Sequence, residues 1–128
     1  MYDTQIRQLE DMINKANEIS TLIDYRAELQ DTQLALKVKI GTIDNKINDL
    51  KYFNKKAGYA YKKLDRITLN DMDDIIEANN DAILKANKQR EDLVATLNEF
   101  NRLYDLAYER IDYIKEHRPV QLQLNLGD

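Results

Sequence analysis

The sequence predicts an all-α protein: a long, coiled-coil-like antiparallel helical hairpin that dimerises into a four-helix bundle and carries a short strand-like C-terminal tail. Three observations lead there. First, Leu22, Leu29, Leu36, Ile43 and Leu50 recur every seven residues, with Arg26, Gln33, Ile40 and Ile47 between them. This is a heptad seam with Leu at most d positions and Ile at two of the four a positions. Second, Ile76, Asn79, Ile83, Ala86, Arg90, Leu93, Leu97, Phe100, Tyr104, Ala107, Ile111 and Ile114 alternate three and four residues apart without a slip. Third, after the single proline, Pro119, apolar and polar residues alternate from Val120 to Leu126. That is a period of two, which a strand has and a helix does not.

The first helix is expected over about residues 3–57, with Asp3 or Thr4 as its cap. An earlier apolar series, Ile6, Leu9, Ile13 and Ala16, does not share the register of the leucines, because the step from Ala16 to Leu22 is one residue short. Residues 18–21 are therefore either a break, with Thr21 and Asp24 as a weak capping box, or a locally overwound stretch. Gly41 is a tolerated weak point, and Gly58 after Lys55-Lys56-Ala57 is the expected stop. The second helix is expected over about residues 70–117. Thr68 or Asn70 would cap it, Asp71, Asp73 and Asp74 would meet the positive end of its dipole, and Pro119 would end it.

Folding the chain back at residues 57–69 sets Leu50 beside Ile76 and Leu9 beside His117, so the two helices pair over nearly their whole length. Extra apolar residues flank both seams: Ile23, Ala27, Leu34 and Val38 on the first helix, Ile75, Ala82, Leu84, Leu103 and Leu106 on the second. A stripe that wide calls for a third or fourth helix, which a second copy would supply. Arg26, Gln33, Asn79 and Arg90 interrupt the seams, as polar residues that fix register and orientation do.

Composition narrows the function. The chain has 128 residues, one third of them charged, with three Gly, one Pro and no Cys. That is one helical domain, 1–118, plus a tail, 119–128, with no disulfide framework and no thiolate chemistry. A net charge of −4 is too small for global steering toward nucleic acid or membrane. The polar start of the chain shows no signal peptide, and no apolar run would cross a bilayer, so the cytosol is the expected location. Phosphate loops, nucleophile elbows and metal-ligand clusters do not occur, so neither an enzyme nor a cofactor is expected.

The turn is the one basic region. Residues 51–66 hold six cations against one acid, +5, leaving −9 on the rest of the chain. Lys55, Lys56, Lys62, Lys63 and Arg66 are interleaved with Tyr59 and Tyr61, the mixture that contacts phosphates and stacks on unpaired bases. The alternative is that the aromatic residues plug the end of the bundle while the lysines keep it soluble.

The tail run Gln121-Leu122-Gln123-Leu124-Asn125-Leu126 resembles the hexapeptide, Gln-Leu-x-Leu-x-Leu, by which polymerases, mismatch-repair proteins and initiation regulators bind the bacterial DNA sliding clamp. All four defining positions match. The resemblance implies that Gln121 anchors in a polar part of the clamp groove and that Leu122, Leu124 and Leu126 fill its apolar pockets. It covers six residues and says nothing of the helical body. A strand at a chain end must borrow hydrogen bonds from another edge, so the tail can equally pack on its own bundle or pair with a second copy. A second resemblance is smaller: Arg110 and His117 match the loose Arg-x4–6-His motif of the HEPN ribonucleases, with Ile111 where that family commonly has a polar residue. The same two cations also suit a helix C-terminus. The expected function is a non-enzymatic interaction protein (adaptor, regulator or inhibitor) docking through its tail. The alternatives are a phage scaffold-like assembly protein and a small ribonuclease.

Overall fold

The structure, a computed structural model, describes residues 2–60 and 66–117, with side chains described for 2–57 and 71–117. The described residues are nearly all helical: α1 is Asp3–Lys15, α2 is Ile19–Ala60 and α3 is Arg66–Glu116, and no strand occurs among them. The chain divides into two units, Met1–Ala35 with Thr96–Asp128, and Leu36–Ala95.

Of the two alternatives for the start of the first helix, the first unit has the break, at residues 16–18 and so just ahead of the expected 18–21. Residues 16–18 leave the helical conformation, Ala16 being extended at ψ 133°, with its N–H tied back to the Ile13 carbonyl at 3.3 Å. The chain reverses there. Tyr2 meets Phe100 edge-to-face at 5.8 Å, Glu10 pairs with Arg102 at 2.8 Å, and Arg110 Nε donates to the Ala16 carbonyl at 3.2 Å. These numbers rise together, so α1 runs parallel to α3. Along α2 they run the other way: Arg26 lies over Tyr104 and Tyr108, and Gln33 Nε2 donates to Asn101 Oδ1 at 2.7 Å. Leu9 is therefore not beside His117. The missing residue between Ala16 and Leu22 is the trace of this turn. A continuous helix would have carried Ile6 and Ile13 away from the leucine seam, whereas reversal brings both into one core.

That core is a three-helix cluster. Ile6 and Ile13 of α1, and Ala16 just past its end, are buried with Leu22 and Leu29 of α2 and with Phe100, Leu103, Ala107 and Ile111 of α3. Leu103, a flanking residue by periodicity, is fully buried. The third helix that the wide apolar stripe called for is thus supplied, in this unit, by the chain itself. Tyr2, not Asp3 or Thr4, stands at the N-cap of α1 and makes no side-chain cap bond, while Asp3 lies in the first turn, where a negative charge suits the dipole.

In the second unit α2 and α3 pair antiparallel, and the buried residues among those described are Leu36, Ile40, Ile47, Ala57 and Ala86. Asn54 donates to Asn80 and accepts from Asn79, both at 3.0 Å, so by the same register Leu50 stands level with Ile83 and not with Ile76. The helices also run further into the turn than expected. α2 passes through Gly58 to Ala60, and α3 begins at Arg66, placing Thr68 and Asn70 inside the helix instead of at its cap. No described glycine adopts a positive φ, so Gly58 is not a left-handed stop. Between Gly58 and Pro119 there is neither Gly nor Pro to halt α3 earlier.

Gly41 lies within α2, and a Cβ added there would meet nothing within 4 Å. Gly41→Ala is therefore expected to raise stability by about 1 kcal/mol through helix propensity alone. Urea titration followed by far-UV circular dichroism would read this as a higher midpoint at unchanged slope.

Candidate interaction surface

The polar seam residues find partners across the helices. Gln33 bonds Asn101, Asn79 bonds Asn54, and Arg90 Nε bonds Asp44 Oδ1. Arg26 is different. Its guanidinium carbon sits 4.2 Å from the centre of the Tyr104 ring and 5.1 Å from that of Tyr108, while its buried Nε has no hydrogen-bond acceptor among the described residues. The ring faces oppose its charge where no carboxylate does. All four residues thus act within the fold as internal ties. Outside the seam, Arg102 pairs with both Glu10 and Glu99, and these bonds raise its pKa above the ordinary arginine value.

Arg110 and His117 each contact Tyr113. Arg110 Nε is engaged by the Ala16 carbonyl, closing the C-terminal end of α1, and its guanidinium carbon lies 5.0 Å from the centre of the Tyr113 ring. His117 stacks on Tyr113 at 4.0 Å, with Nδ1 2.9 Å from the Tyr113 carbonyl oxygen. Among the described residues no group of three or more His, Cys, Asp or Glu is arranged to hold a metal. No helix there is long and apolar enough to cross a membrane.

Of the basic turn, Lys55 and Lys56 are exposed on the last turns of α2, and Lys56 Nζ lies 5.5 Å from the Tyr52 ring centre. Asp71, Asp73, Asp74 and Glu77 are exposed on α3 beyond the same turn. Four acids there offset much of the basic charge that the sequence run suggests. Tyr61, Lys62 and Lys63, and the side chains of Tyr59 and Arg66, lie outside the described residues. So does the tail with Gln121, Leu122, Leu124 and Leu126.

One concave surface belongs to the second unit. An open groove of about 450 Å³ is lined by Val38, Lys39, Thr42 and Ile43 of α2 and by Gln89, Asp92 and Leu93 of α3. The Thr42 hydroxyl donates to the Val38 carbonyl at 3.0 Å, so it brings no unmet donor to the groove. Val38 is 63% exposed, Leu34 of the first unit 64% and Leu84 68%, the largest apolar exposures of the described chain. The sequence marked Val38, Leu34 and Leu84 as flanking apolar residues. It did not mark Lys39, Thr42, Gln89 or Asp92, whose only signal is their heptad position beside the seam. No family model, curated protein or solved structure matches the chain.

Proposed function

We propose that this chain is a non-enzymatic interaction protein of the cytosol, in which a helical body presents a C-terminal docking segment to a partner, and that the partner is the bacterial DNA sliding clamp. The run from Gln121 to Leu126 carries this reading. Alternation alone accounts for the three leucines, but it does not account for a glutamine one position before the first of them. Extended peptides that add to a partner's surface gain affinity from main-chain hydrogen bonds and specificity from pockets for alternate side chains. A helix-ending proline just ahead of the run suits such presentation. The internal bonding of Arg26, Gln33, Asn79, Arg90 and Arg110 supports a body that serves as a scaffold and leaves recognition to other residues. The setting would be DNA replication in a bacterium or its phage, with the protein as adaptor or inhibitor.

Binding of the intact chain to a purified bacterial clamp is expected, and a chain ending at residue 118 should not bind. Gln121→Ala or Leu126→Ala should each weaken binding by roughly thirtyfold, the effect of losing an anchor worth about 2 kcal/mol. Equal binding by the truncated chain, or none by the intact one, would overturn the proposal. If truncation instead lowered the oligomeric mass, the tail would be an assembly strand and the protein a structural one.

A further inference from the structure

In the first unit α1 covers one side of the α2–α3 seam and leaves the other side open. On α3 the contacts of α1 and its caps fall on Phe100, Arg102 and Arg110. At about 100° per residue, Tyr104 and Tyr108 stand about 120° and about 160° around that helix from Arg110. Arg26 of α2 lies over both rings. Counting round α2 from the buried Leu29, Arg26 comes first on this side, and Ile23, Leu34 and Ala27 follow it. Ile23 is 54% exposed, Leu34 64% and Tyr108 51%, and Ala27 is exposed with them. The result is an apolar strip beside the seam that no described helix covers. Arg26 adds a donor at its edge: ring faces oppose its charge, and no described residue accepts a hydrogen bond from its guanidinium.

We propose that this strip is the stowing site of the chain's own C-terminal segment, residues 120–126, when no partner holds that segment. Reach, period and charge select this occupant. The described residues end at His117, at the end of α3 and in the same unit as the strip. Because Gln33 bonds Asn101, Ile23 stands level with Ile111 and Leu34 with Phe100. At 1.5 Å per residue these levels are about 9 Å and about 25 Å back from His117. A segment that turns back at Pro119 and extends at about 3.3 Å per residue puts Leu122 about 10 Å and Leu126 about 23 Å along the same path. Leu124 then falls level with Arg26 and Tyr108. Val120 and the three leucines share one face and lie on the strip, while Gln121, Gln123 and Asn125 face water. No residue from 120 to 126 is charged, so stowing buries no ion. The carbonyls of an extended segment need donors, and Arg26 supplies one. Stowing hides Leu122, Leu124 and Leu126, which a clamp would have to take. That regulatory meaning rests on the clamp reading; stowing itself does not.

The full chain has no cysteine, so Asn125→Cys offers a single site for a nitroxide label on the water-facing side of the segment. In amide spectra of the isotope-labelled chain, the nitroxide is expected to broaden Ile23, Arg26, Leu34, Tyr104 and Tyr108 most within this unit. Leu34→Glu, at an exposed position, should remove that pattern with helical circular dichroism unchanged. Broadening centred on another face, or spread without a centre, would overturn the proposal. So would the same pattern in an isotope-labelled chain mixed with a separate nitroxide-labelled one, because the segment would then belong to another copy. Titration of a purified bacterial clamp reads the consequence. Ile23→Glu and Leu34→Glu should each bind it about tenfold more tightly than the unsubstituted chain, as a segment free a tenth of the time binds with about a tenth of its affinity. Equal affinity would overturn the regulation. Absence of clamp binding in all three chains would remove the clamp reading and the regulation with it, and the label pattern would still decide the stowing.

Discussion

Phe100→Ala is expected to be the most damaging single truncation in the chain. Among the described residues Phe100 is the largest of the fully buried side chains, and it lies where α1 joins the α2–α3 pair, with the Tyr2 ring against it at 5.8 Å. Removing the ring forfeits its transfer free energy, leaves a cavity lined by three helices and deletes an aromatic pair, at a cost of about 3–5 kcal/mol. A domain of this size has only about 5–15 kcal/mol to lose. The variant should therefore melt on the order of 10–20 °C lower, or fail to fold at 37 °C. Thermal melts by circular dichroism would show it. Tyr52→Ala is the control, because Tyr52 is 62% exposed and its loss should shift stability by less than about 1 kcal/mol. Equal effects from the two would mean that the three-helix core is not as described.

Ile13→Asp is expected to release α1. The Ile13 side chain is fully buried, so a carboxylate there must either stay unpaired in an apolar core or reach water by undocking the helix. Undocking is the cheaper route, because α1 is joined to the rest by three non-helical residues and has only Ile6 and Ile13 buried. The expected loss is about 2–5 kcal/mol, the range for removing a buried isoleucine. Limited proteolysis should cut within residues 3–18 and spare a fragment of α2 and α3. Were α1 a straight continuation of α2, the substitution would cost little and residues 16–18 would resist cleavage, and that result would refute the reversal.

The heptad leucines made most of the core legible. Leu22, Leu29 and Leu36 are buried where their spacing puts them, as are Ile40, Ile47, Ala86, Phe100, Ala107 and Ile111. The reversal at residues 16–18 was not legible, for a specific reason. Ala16-Asn17-Glu18 contains neither Gly nor Pro, so the turn leaves no compositional mark and shows only as a shift of heptad phase. That shift was visible, but a break and an overwound helix give the same signal. Helix ends were missed near the turn because a cap or a single Gly is a local preference of about 1 kcal/mol, which a long helix can run through. On the candidate surface, the apolar members could be read and the polar ones could not. Lys39, Thr42, Gln89 and Asp92 look like any solvated residues until the helices that carry them are placed side by side. Arg26 could be read as a seam residue, but its stacking on Tyr104 and Tyr108 depends on an antiparallel register that periodicity leaves free.

The first unit is assembled from both ends of the chain, Met1–Ala35 with Thr96–Asp128. During synthesis Ile6, Ile13, Leu22 and Leu29 therefore emerge long before Phe100, Leu103 and Ile111, which they pack against. From Leu29 to Ile111 the ribosome needs about 4–16 s at 5–20 residues per second. Throughout that interval the nascent chain carries an apolar stripe with no native cover, while the second unit, whose partners are closer in sequence, can already zip from its turn. The protein is thus one whose yield in the cell should depend on elongation rate and on chaperones that shield its amino-terminal third until the last helix is made.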